Sequence, residues 1–151
     1  MKREKEVLRD KFIEFQLKIA ELKQALHQQE EASWAREKAL HLSLFEILDA
    51  FESLEETIRA KEEGMDKTSR SLAKNIRAIH RKILRMLEAN HITQIEFPDG
   101  KARMDYCKVV DTSEAPDMEN ETILTIVKNG YIQEHIGTVL RKAEVITVMN
   151  E

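Results

Sequence analysis

Leu8, Phe12, Phe15, Ile19, Leu22 and Leu26 recur at alternating steps of four and three residues. The same rhythm returns at Leu40, Leu44, Ile47, Phe51, Leu54 and Ile58. Such spacing lines apolar side chains along one face of a helix. No proline or glycine interrupts Met1–Glu63. A helix of about 60 residues would be about 90 Å long at 1.5 Å per residue, too long for a small compact domain to cover. The stripe therefore calls for a partner helix, and the expected molecule is an elongated homodimer rather than a pocket enzyme.

The stripe changes character along its length. Gln29, Ser33 and Arg36 stand where the seam would continue, and two successive four-residue steps, Arg36 to Leu40 to Leu44, read as a stutter. Beyond it, Leu42, Leu44, Phe45, Ile47, Leu48 and Phe51 form a face too wide for a two-helix contact, which implies a bundle. Gly64 reads as a helix stop, and Asp66, Thr68 or Ser69 as the cap of a second helix. That helix carries Leu72, Ile76, Ile79, Ile83, Met86 or Leu87, and Asn90 at heptad spacing. Two αα-hairpins from two chains would make a four-helix bundle. The expected dimer contacts are Leu8, Phe12, Phe15, Ile19, Leu22 and Leu26 in the coil. In the bundle they are Leu44, Ile47, Phe51, Leu54, Ile76, Ile79 and Ile83.

After Asn90-His91 the pattern shifts to short alternating runs. Ile92–Phe97 reads as a strand and Pro98-Asp99-Gly100 as a turn; Met104–Val110, Thr122–Val127 and Ala143–Met149 read as further strands. Several short strands with no helix between them imply a small antiparallel sheet. The predicted fold class is α+β. Residues 1–40 form a long coiled-coil helix, 41–91 the dimerising hairpin, and 92–151 a β-wing.

Composition narrows the function. Net charge is −4, which argues against a nucleic-acid binder held by phosphate neutralisation. Lys74, Arg77, Arg81, Lys82 and Arg85 read as a solvated helix face. No apolar run reaches the roughly 20 residues that span a bilayer, and the lone Cys107 fits a reducing compartment, so a cytoplasmic protein is expected. His27, His41, His80, His91 and His135 lack ligand spacing. With no phosphate-binding loop or nucleophile motif, no catalytic residue, cofactor or metal is expected. Trp34 lies where the seam is weakest, and its role stays open between packing and contact.

Three segments together resemble the GrpE family of nucleotide exchange factors. Leu44-Phe45-Glu46-Ile47-Leu48-Asp49-Ala50-Phe51-Glu52 is similar to the family's stretch entering the bundle. Ile83–Ile92 is similar to its second bundle helix running into the first strand. Ile126-Val127-Lys128-Asn129-Gly130-Tyr131, with Val139-Leu140-Arg141-Lys142-Ala143-Glu144-Val145, resembles the family's wing motif. The likeness spans about two thirds of the chain, Leu44–Val148. It departs at Glu46 (usually Pro), Ser53 (usually Arg), Met104–Cys107 and Lys142.

The resemblance implies a dimeric co-chaperone that docks on the nucleotide-binding domain of a DnaK-type chaperone and favours an open cleft. The residues it nominates for that contact are Asp49, Glu52 and Ser53 on the bundle, with Val127, Asn129, Gly130, Tyr131 and Arg141 on the wing. Gly130 is read as a candidate left-handed position. Tyr131 is equally readable as a core aromatic, and Asn129-Gly130 as a plain hairpin turn. The rival reading is a dimeric coiled-coil scaffold or adaptor with a β-cap and no exchange activity.

Overall fold

The computed structural model describes Met1–Glu151. Helix α1 spans Lys2–Lys61, a 3₁₀ turn covers Glu62–Gly64, and α2 spans Lys67–Ala89. Six strands follow: β1 (Ile92–Gln94), β2 (Cys107–Ser113), β3 (Ile123–Lys128), β4 (Tyr131–Gln133), β5 (Thr138–Arg141) and β6 (Ala143–Val148). The chain divides into two compact units, Met1–Leu40 and His41–Glu151.

The first unit is helix alone, and none of its side chains is buried. Leu8, Phe12, Phe15, Ile19, Leu22 and Leu26 are each between 52% and 62% exposed. Covering the part still exposed would contribute about 1–2 kcal/mol apiece. The ion pairs Lys11–Glu14 and Lys18–Glu21 are solvated surface contacts that add little. Trp34 is exposed.

From Leu40 onward the stripe separates into two heptad rows. Leu44, Phe51 and Ile58 are covered by the chain itself, whereas Leu40, Ile47 and Leu54 stay exposed. Helix α2 divides in the same way. Ile76 and Ile83 are partly covered, while Leu72, Ile79 and Met86 are at least half exposed. One row of each helix thus closes the hairpin within the chain and the other faces outward.

The hairpin is pinned by named contacts. The Asp66 side chain accepts from the Ser69 amide at 2.7 Å and caps α2. Arg77 pairs with Glu55 at 2.9 Å, and the His80 ring stacks on Phe51 with centroids 5.7 Å apart. Gly64 ends the 3₁₀ turn without a positive φ, and a side chain there would meet nothing. Its position as a stop does not depend on left-handed backbone.

The strands form two three-stranded sheets, β1-β4-β5 and β2-β6-β3. The first is antiparallel; the second is mixed, because β6 pairs in parallel with β2 and antiparallel with β3. A parallel pair needs a long connection, and β3, β4 and β5 all lie between β2 and β6 in the chain. Met104–Tyr106 belongs to a turn, closed by the Tyr106 and Cys107 amides bonding to the Arg103 carbonyl, so β2 begins only at Cys107.

Asn129-Gly130 is not a hairpin turn. It carries the chain from β3 in one sheet to β4 in the other.

Two cores result. Phe45, Leu48, Leu87, Ile92, Tyr131 and Leu140 join both helices to the first sheet, with Leu44, Ile83 and Leu84 against them. Cys107, Ala143 and Val145 centre the second, where the Cys107 thiol donates to the Arg103 carbonyl at 3.2 Å.

Leu48 is fully buried where α1 meets the first sheet. Leu48→Ala is expected to lower unfolding free energy by about 2–5 kcal/mol in denaturant titration. Met149→Ala, at an exposed position, should change it by less than about 0.5 kcal/mol.

Candidate functional site

Asp49, Glu52, Ser53 and Glu56 follow one another at steps of three, one and three residues, which aligns them on a single face of α1. One turn earlier, Phe45 and Leu48 on the same side enter the core. Opposite that face lies β3, whose Ile126 and Val127 are 41% and 49% exposed, followed by Asn129. Helix and strand enclose an open cleft of about 450 Å³. Its helix wall carries four carboxylates, Asp49, Glu52, Glu55 and Glu56, and one guanidinium, Arg59. Its strand wall is apolar.

Beneath the cleft the two walls are tied together. The Arg141 guanidinium donates through both terminal nitrogens to Asp49, at 2.7 and 2.6 Å. This two-pronged geometry makes an Arg–carboxylate pair directional as well as strong. Arg141 Nε and Nη2 also donate to the Asn129 carbonyl, at 3.1 and 2.7 Å. The Asn129 amide in turn donates to Glu52 Oε1 at 2.7 Å. The Phe45 and Tyr131 rings stack with centroids 4.1 Å apart and planes 5° from parallel. The guanidinium carbon lies 5.5 Å from each centroid, beside the edges of the stacked pair.

Electrostatics follow from this burial. Loss of water pushes the Glu52 carboxyl above its ordinary range, and the Asn129 hydrogen bond only partly opposes it. Burial also works against the charge on Arg141, but Asp49 overrides it and raises the guanidinium pKa. Burial pushes the Tyr131 phenol up, with the Glu52 charge adding to the effect.

Gly130 is required for space rather than for a left-handed φ. A Cβ there would lie 2.5 Å from the Ala143 amide nitrogen and 2.9 Å from both the Arg141 carbonyl oxygen and Ile95 Cδ1. Its own carbonyl accepts from the Ile95 amide at 2.9 Å. The chain passes between two sheets at a point where no side chain fits.

Of the eight residues nominated for partner contact, Asp49, Glu52, Ser53, Val127 and Asn129 line this cleft. Gly130 and Tyr131 are fully covered and present no surface, and Arg141 is spent on Asp49 and Asn129. Tyr131 is a core aromatic. Sequence reasoning missed Phe45 as a ring beside Arg141, and Glu56 and Ile126 on the cleft walls. The helical spacing from Asp49 was the signal for Glu56; nothing local pointed to the stacking of Phe45 on Tyr131. No three His, Cys, Asp or Glu side chains are grouped to hold a metal ion, and no helix is long and apolar enough to cross a membrane.

The family model described as GrpE matches residues 1–149, helices and wing alike. The chain belongs to the GrpE family. A comparison with curated proteins returned no match. GrpE proteins are co-chaperones that serve as nucleotide exchange factors for DnaK-type chaperones, not catalysts of a chemical step.

Two outcomes follow for this GrpE chain. Gly130→Ala forces backbone apart and is expected to cost about 1–3 kcal/mol or more, measured as a lower denaturant midpoint. Glu52 is more readily protonated in the fold than in the unfolded chain, so its ionisation opposes folding as pH rises through the raised pKa. Glu52→Gln keeps an acceptor for Asn129. It should match or exceed the wild-type melting temperature at neutral pH, and that advantage should vanish as the pH falls through the Glu52 pKa.

Proposed function

We propose that this chain is a homodimeric exchange factor that docks on the nucleotide-binding domain of a DnaK-type chaperone and favours its open cleft, so that ADP leaves. The observation that carries the proposal is the whole-length GrpE match, which takes in the wing that a bare coiled-coil scaffold would not need. The exposed coil stripe, Leu8 to Leu26, supports pairing through two-stranded contact. The outward rows Leu40, Ile47, Leu54 and Leu72, Ile79, Met86 support a four-helix bundle built from two hairpins.

Docking is assigned to the rim of the α1–β3 cleft. There Ser53, Glu56, Ile126 and Val127 are exposed, while Asp49 and Glu52 below them are engaged by Arg141 and Asn129. Exchange then needs no covalent step. The factor must bind the open chaperone more tightly than the ADP-closed one, and a hundredfold preference corresponds to about 2.7 kcal/mol of coupling. Linkage is reciprocal, so nucleotide must weaken the factor's grip by the same ratio.

Two measurements test this reading. Light scattering is expected to give about twice the 17.6 kDa chain mass, and Ile79→Asp, at an outward position, should shift the mass toward one chain. A strict monomer in the wild type would remove the dimer. Complex formation with the nucleotide-free chaperone, followed by gel filtration, should be reversed by ATP. Binding indifferent to nucleotide would favour the scaffold reading.

A further inference from the structure

The cleft has a floor as well as walls, and the floor consists of the very groups that would otherwise be free to meet a partner. Arg141 comes from β5 and Asp49 from α1, 92 residues apart in the chain. Asn129 precedes β4, and Glu52 lies one turn beyond Asp49. The two pairs are cross-linked, because Arg141 also holds the carbonyl of Asn129. Arg141 and Asp49 side chains are 17% and 20% exposed, so solvent screens the pair weakly. Beside it the stacked Phe45 and Tyr131 rings join α1 to β4, the neighbour of β5 in the same sheet.

We infer that Asp49 and Arg141, reinforced by Glu52 and Asn129, are positioning residues that lock the wing to helix α1, and that this lock converts binding into opening. The inference rests on the exchange-factor reading above. Its physical content is mechanical. A factor that grips a chaperone at both the helix face and the wing selects the open state only if the distance between its two grips is fixed. A loose wing would follow the closed chaperone and bind both states alike, and a ligand that binds two states equally shifts nothing. The lock therefore governs the ratio of the two affinities rather than affinity for the closed state.

A bidentate guanidinium suits this role better than an ammonium, since the fork fixes angle as well as distance. The local geometry leaves no slack. Gly130, next to Asn129, admits no Cβ, and its carbonyl is held by Ile95.

The test uses the full-length dimer with the chaperone in its ADP-bound and nucleotide-free states. Wild type, Asp49→Asn, Arg141→Lys and the double variant are compared, each first verified for dimer mass and helical content. The ratio of the two affinities and the ADP release rate at saturating factor should both fall about tenfold in each single variant, while affinity for the ADP-bound chaperone moves less than threefold. The double variant should be no worse than the worse single one, because both residues act through one lock. Hydrogen exchange at the β4 amides of the free dimer should speed up in the same variants.

Arg141→Lys keeps the charge and most of the stem, so it reports on the lock even where Asp49→Asn folds poorly. Additive losses, or a fall in affinity for the ADP-bound chaperone equal to the fall in rate, would make these residues direct contacts and overturn the inference. Unchanged β4 exchange with unchanged ratios would overturn it as well. If the wild-type factor itself leaves ADP release unaltered, the exchange-factor reading fails instead, and the β4 exchange of the free dimer still decides whether the lock exists.

Discussion

The two-pronged contact between Arg141 and Asp49 is the interaction on which the second unit depends. It lies beside the stacked Phe45 and Tyr131 rings and under the α1–β3 cleft. An ion pair at a solvated surface contributes little, but this one is shielded, geometrically matched and backed by a second hydrogen bond to the Asn129 carbonyl. Truncating one partner would leave the other charge poorly solvated, so the pair resists being opened from either side. The remaining features follow from it. Helix α1 is held against the first sheet, the carboxylate face is turned toward β3, and Gly130 is drawn into a passage with no room for a side chain.

A second constraint comes from surface that the chain leaves uncovered. The four-three stripe is used partly by the chain's own fold and is otherwise left uncovered. From Leu40 onward the row Leu44, Phe51, Ile58 is covered wholly or in part by the chain itself, and the row Leu40, Ile47, Leu54 is exposed. The matching row Leu72, Ile79, Met86 on α2 repeats the arrangement. Heptad spacing on both helices, with one row in and one row out, is what a hairpin shows when it is half of a four-helix bundle.

These patterns were legible where the information is local. The break at Glu62–Gly64 and the α2 stripe depend on residues within a few positions of one another and could be read directly. The cap was narrowed to three candidates, of which the structure selects Asp66. The wing was legible in outline only. Its strands are short, and their partners are set by contacts far apart in sequence, so neither β4 nor the parallel pairing of β2 with β6 was foreseen. The candidate site divides along the same line. The family resemblance nominated Asp49, Glu52 and Ser53, which the helix does carry on one face, but nothing within a local window reveals that Arg141 would spend its charge on Asp49, 92 residues away. Tyr131 illustrates the ambiguity. An aromatic beside a glycine suits an interface and a core equally, and only the stack on Phe45 decides for the core.

Under the proposed exchange role, function reduces to a difference between two binding free energies, and the inferred lock on the wing is what makes that difference large. The most direct measurement is the rate at which labelled ADP leaves the chaperone's nucleotide-binding domain as the factor is titrated to saturation. The account predicts that the rate rises with factor and reaches a plateau well above the spontaneous value. A rate that stays at the spontaneous value, under conditions where the two proteins demonstrably bind, would contradict it.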